Sequence, residues 1–107
     1  VIMKARFNKK YSYTQEKAAE YIEAKEKIYC VSTECEAQFK YEDNKRTDEI
    51  IGYRAWFSQE GLPPFQVKFN HDVKLPKYMS LVEFDNLQGI EIHYNVYFKA
   101  DDVIEVK

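Results

Sequence analysis

Two alternating runs packed around one break, from Glu49 to Asn70, limit what this chain can fold into more than any other stretch. In the first run Ile51, Tyr53, Ala55 and Phe57 fall on one side, and Gly52, Arg54, Trp56 and Ser58 on the other. Successive side chains of a strand point to opposite faces, so this period of two is that of a half-buried strand. In the second run Phe65, Val67 and Phe69 alternate with Gln66, Lys68 and Asn70. Gln59 to Pro64 separates the runs, with Gly61 and two prolines as turn formers. One face of such a hairpin serves a core. The other carries the only tryptophan of the chain beside an arginine and a lysine.

The rest of the chain is read around this hairpin. Val1 to Phe7 is a short apolar and basic run expected to be a first strand. From Thr14 the period changes: Ala18, Tyr21, Ile22 and Ile28 fall at helical spacing, Ser12 or Thr14 can cap the start, and a helix is expected from Thr14 to Lys27. Ile28 to Ser32 reads as a short strand and Glu34 to Asp43 as a half-buried antiparallel one. Asp43 to Asp48, the most polar stretch, is expected to be a loop. After a connection from His71 to Met79 come a strand at Leu81 to Asp85, a turn at Asn86 to Gly89 and a last short strand at Val103 to Val106. Before that last strand lies one long alternation, with Ile90, Ile92, Tyr94, Val96 and Phe98 against Glu91, His93, Asn95, Tyr97 and Lys99.

One helix followed by strands joined through short turns disfavours parallel βαβ units. A chain of 107 residues is the size of one domain, 1–107, and is long enough to bury a core without staples. The expected fold is α+β and mainly antiparallel β: a small OB-like barrel or a strongly curved sheet, with one N-terminal helix packed on it. The helix precedes most of the strands, whereas the usual OB order places it between the third and fourth.

Several function classes receive little support. The net charge of −2 is unlike that of a domain held to duplex DNA by phosphate contacts, though a single strand needs only aromatic rings and a local basic groove. Cys30 and Cys35 lack nearby histidines, and zinc sites draw four ligands from tight local pairs; buried small apolar groups are the simpler account, and no metal or cofactor is expected. Asp101, Asp102 and Glu105 lack calcium-loop spacing. No Gly-rich phosphate loop or nucleophile elbow occurs, His71 and His93 stand alone, and the carboxylates are scattered, so an enzyme is not expected. With no leader and no apolar run of bilayer length, a cytoplasmic protein with reduced thiols and no membrane partner is expected.

Two groups of residues are candidates for binding nucleic acid. Arg54, Trp56 and Lys68, with Tyr97 and Lys99, project opposite the core side, where bases could stack on the rings while cations meet phosphates. The plainer alternative is that Trp56 covers a second buried face or packs under the helix, as large aromatics often do. Lys4 and Arg6 share a strand face near Lys9 and Lys10 and could follow a phosphate backbone; lysines on an edge strand also serve to block aggregation.

Two stretches carry a family resemblance. Lys45-Arg46-Thr47 leading into Tyr53 to Ser58 and Phe65 to Phe69 is one, and Tyr97-Phe98-Lys99-Ala100-Asp101-Asp102-Val103 the other. Together they resemble a small family of accessory proteins of Gram-positive integrative and conjugative elements, which includes a helicase processivity factor. The resemblance covers the C-terminal half and implies a non-enzymatic accessory of replication or transfer that binds single-stranded DNA or a helicase. It carries no catalytic residues. The rival classes are a protein-interaction module using a sheet edge, such as a helicase partner or inhibitor, and a phage or plasmid structural protein that forms homo-oligomers.

Overall fold

A computed structural model describes residues 12–23 and 25–106. The expected first strand, with Lys4 and Arg6, lies outside the described residues. Within them, one short helix, α1 (Gln15–Tyr21), precedes eight strands: β1 (Ile28–Cys30), β2 (Glu36–Glu42), β3 (Lys45–Gln59), β4 (Phe65–Phe69), β5 (Leu81–Asp85), β6 (Gln88–Ile92), β7 (Asn95–Lys99) and β8 (Asp102–Glu105). The protein is therefore mostly β, of the α+β kind.

The fifteen-residue β3 is the spine. One of its edges takes β2 along Lys45 to Arg54 and then β1, with Cys30 opposite Phe57. Its other edge takes β4, from Tyr53 opposite Phe69 to Phe57 opposite Phe65. The sheet runs β6-β7-β4-β3-β1-β5-β8, with β2 beside β3 off that path. All pairings are antiparallel except β4 with β7. The sheet is open, so the expected barrel does not close. A closing strand would need the outer edge of β6. Thr14 occupies it instead: its N–H donates to the Gly89 carbonyl at 2.9 Å and its carbonyl accepts from the Gly89 N–H at 2.8 Å.

The expected parity of the central hairpin holds over its paired length. Ala55, Phe57, Phe65, Val67 and Phe69 are buried, and no part of Phe57 or Val67 reaches solvent. The Phe57 ring meets Phe84 edge-on at 4.8 Å between centroids and lies 6.4 Å from both Phe65 and Phe69. Ile28, Val82, Val103 and Phe98 complete this core together with Ala18 and Ile22. Beyond the β4 pairing the expected parity loses its force, and Ile51 is exposed.

Helix α1 packs on β6. Thr14 caps it from an extended conformation, its Oγ1 accepting from the Lys17 N–H at 3.1 Å. Ala18 sits against Gly89, where an added Cβ would stand 3.0 Å from the Ala18 nitrogen, so a larger residue would push the helix back by a few tenths of an ångström. Tyr21 donates to Glu91 at 2.6 Å from the next turn. The helix ends at Tyr21, six residues short of the expected Lys27. The cause is the buried Gln59 at the end of β3. Its Oε1 accepts from the Glu23 N–H at 3.0 Å and its Nε2 donates to the Glu23 carbonyl at 2.7 Å. Both backbone groups of Glu23 are thus held by the sheet rather than by further helix.

Two turns also correct the sequence reading. Asp43 and Asn44 both adopt positive φ, 51° and 65°, and form a tight two-residue hairpin turn, so the expected Asp43 to Asp48 loop is mostly the start of β3. The register slips twice along this ribbon, and Thr47 repairs the irregular stretch: its Oγ1 donates to the Lys40 carbonyl at 2.8 Å and accepts from the Glu49 N–H at 3.2 Å. Likewise His93 and Tyr94 (φ 48° and 70°) break the long alternation into β6 and β7. That turn reverses parity, so Ile90 shares a face with Tyr97, its register partner, and not with Phe98.

The Gln59 clamp generates a stability prediction. Gln59→Ala removes the sheet partner of the Glu23 N–H and leaves the Glu23 carbonyl only the Glu26 N–H, and is expected to cost about 0.5–1.5 kcal/mol in urea unfolding. An unchanged midpoint and slope would show that the clamp does not hold the helix end.

Candidate nucleic-acid interface

The face of β3, β4 and β7 opposite the core is built by register. Arg54 lies opposite Lys68, and Lys68 beside Lys99. Trp56 lies opposite Gln66, and the parallel β4–β7 register puts Gln66 beside Tyr97. Two rows therefore cross the three strands side by side: Arg54–Lys68–Lys99, all cationic, and Trp56–Gln66–Tyr97, with a ring at each end. Neighbouring strands are about 4.8 Å apart, so each row is roughly 10 Å long.

The rings face solvent. Trp56 is 42% exposed and Tyr97 48%, so the alternative of a buried tryptophan is not what the fold adopts. The Trp56 backbone is fixed on its β1 side, its N–H donating to Ser32 Oγ at 2.7 Å and its carbonyl accepting from the Val31 N–H at 3.0 Å. Lys68 reaches over Gly52, where a Cβ would come within 2.8 Å of its Cε. The glycine thus leaves the lysine stem a flat bed. Lys99 directs its ammonium at the Tyr13 ring, 4.5 Å from the centroid. Burial, and then the neighbouring Tyr97, push the Tyr13 hydroxyl above its ordinary pKa, so it stays a neutral donor at physiological pH.

Arg54 is held rather than free. Its terminal nitrogen donates to Glu36 Oε1 at 2.5 Å from the neighbouring β2. Its Nε is buried without a partner, as is Gln38 Oε1 beside it. Around these groups the surface dips into a depression of about 320 Å³ lined by Tyr13, Gln38, Arg54, Trp56, Lys68 and Tyr97.

Five residues singled out from the sequence, Arg54, Trp56, Lys68, Tyr97 and Lys99, thus share one face. Lys4 and Arg6 lie outside the described residues. Sequence reasoning missed Gln66, which the parity of Phe65 and Val67 already places there. It also missed Glu36 and Gln38, and grouped Tyr13 with the N-terminal basic patch; their arrival here depends on long-range pairing without a local signal.

The cysteines are elsewhere. Both are free; Cys30 is fully buried and points its thiol at the Ser32 carbonyl, 3.4 Å away. Burial, followed by the charge of Asp72, pushes Cys35 up to about 11. No helix among the described residues is long and apolar enough to cross a membrane. Comparison of the chain with protein-family models, with curated proteins and with solved structures gave no match.

The cysteine shift has a pH consequence. The folded thiol titrates about 11, above its ordinary 9.0, so the folded state keeps a proton that the unfolded chain loses first. Its contribution to stability is complete below the unfolded value and is lost as pH rises through that interval. Urea unfolding of the parent is expected to weaken more between those values than that of Cys35→Ala. Equal weakening would contradict the assignment.

Proposed function

We propose that this protein is a non-enzymatic accessory factor that binds single-stranded nucleic acid on the outer face of β3, β4 and β7. The observation that carries the reading is the exposure of Trp56 and Tyr97 in a row next to Arg54, Lys68 and Lys99. Aromatic rings can stack only on bare base faces, which a single strand offers and a duplex hides. Three cations abreast supply local phosphate attraction on a protein whose net charge of −2 gives no general affinity for duplex DNA. The setting implied by the family resemblance, replication or transfer of a mobile element, is one in which single strands and a helicase are present together.

A second reading has its own observation. Among the described residues β8 ends the sheet, and Ile104 and Val106 on or beside it are exposed. A partner protein could add a strand there. Binding of that kind would be indifferent to Trp56 and would need no oligonucleotide.

Titration with oligo-dT at low salt is expected to quench Trp56 fluorescence. Tyr97→Ala should weaken binding by about 1–3 kcal/mol, the value of one base stacked on a ring. Lys68→Ala should reduce the slope of log affinity against log salt by about 0.7, the share of one phosphate contact on a single strand. Absence of quenching and of any anisotropy change on a labelled strand would remove the reading.

A further inference from the structure

The two rows run across the strands of the sheet, at right angles to them. They lie one two-residue step apart, about 7 Å along the strand direction. That spacing is of the order that separates a nucleotide's phosphate from its base. A bound strand can therefore keep its phosphates on Arg54–Lys68–Lys99 and its bases on Trp56–Gln66–Tyr97 only if it too lies across the sheet.

The aromatic row sets a condition on the bases. Trp56 and Tyr97 stand two strand spacings apart, roughly 10 Å, whereas bases stacked on one another repeat at about 3.4 Å. Consecutive bases stacked together cannot serve both rings. The strand has to give up its own stacking and spread. Pyrimidine runs stack weakly on themselves and do so at lower cost than purine runs. Between the rings Gln66 offers an amide, donor and acceptor together, so the middle position meets a base edge rather than a base face.

The cationic row sets a limit on length. The next strand beyond β3 contributes Glu36, opposite Arg54 and bonded to it. A phosphate continuing past Arg54 would meet that carboxylate. At the other end, the residue beside Lys99 on β6 is the neutral Gln88, and the Lys99 ammonium turns to Tyr13. Among the described residues the attractive track is three cations long and closed on one side by an acid.

The geometry points to a short, pyrimidine-selective seat: a run of about three unstacked nucleotides lies across β3, β4 and β7, bounded by Glu36. This rests on the reading of the face as a nucleic-acid interface and adds to it the orientation, the base preference and the length of what is bound. Glu36 acts here as a stop, competing with phosphate for Arg54.

The test is a fluorescence and anisotropy titration of the full chain at one fixed low salt concentration. The probes are oligo-dT and oligo-dA from about two to about twelve nucleotides long. Oligo-dT is expected to bind a few-fold tighter than oligo-dA of equal length, with an affinity that levels off by about four nucleotides. Equal or tighter binding of oligo-dA, or affinity that keeps climbing steeply with length, overturns the seat while leaving the interface standing. No binding at any length or composition removes the interface and the seat with it. Glu36→Gln, at a largely exposed side chain, provides the second arm. It is expected to tighten oligo-dT a few-fold and to move the plateau to longer strands, since the Arg54 site is then open to an incoming phosphate. Unchanged affinity and plateau would show that the carboxylate is no stop.

Discussion

Everything on the outer face of β3, β4 and β7 depends on the burial of Phe57. Its ring is closed off from solvent among Phe65, Phe69 and Phe84, a contact worth about 1.5–3 kcal/mol for burial alone. β3 is bonded on both edges at this point, to β1 and to β4. A slip of one residue would exchange Phe57 with Trp56 and send Arg54 and Lys68 toward the core. The apolar side of the hairpin thereby fixes the polar side. Trp56 is outside because its neighbour cannot be.

The polar side has a structure of its own. Gly52 gives Lys68 a bed, Glu36 holds Arg54, and Tyr13 receives Lys99. Each cation of the row is steered by a neighbour, which shortens the list of conformations it loses on meeting a phosphate. The same arrangement has a cost for the proposed interface: Arg54 would have to leave or share Glu36, an exposed pair of modest strength, to meet a phosphate.

The central hairpin was legible because two alternating runs flank a Gly-Pro break, a signal confined to neighbouring residues. The outward placement of Arg54, Trp56 and Lys68 followed from that parity, and that of Tyr97 and Lys99 from the alternation that resumes after Tyr94. The other features depend on distant partners or unusual backbone. α1 stops at Tyr21 because of Gln59, which lies 36 residues from the Glu23 it binds. The polar stretch from Asp43 to Asp48 conceals a tight turn, since Asp43 and Asn44 tolerate positive φ and the ladder resumes at Lys45. The turn at His93 and Tyr94 carries no glycine, and a period of two read straight through it gave Ile90 the wrong face. An open sheet looks like a barrel in sequence, because what closes or caps an edge is a pairing between residues far apart, here Thr14 and Gly89.

Amide chemical-shift mapping during addition of oligo-dT tests most directly whether this parity makes a binding face. The account predicts perturbations concentrated at Arg54, Trp56, Gln66, Lys68, Tyr97 and Lys99, with α1 and β8 quiet. Shifts confined to α1 or β8, or none at saturating oligonucleotide, would contradict it.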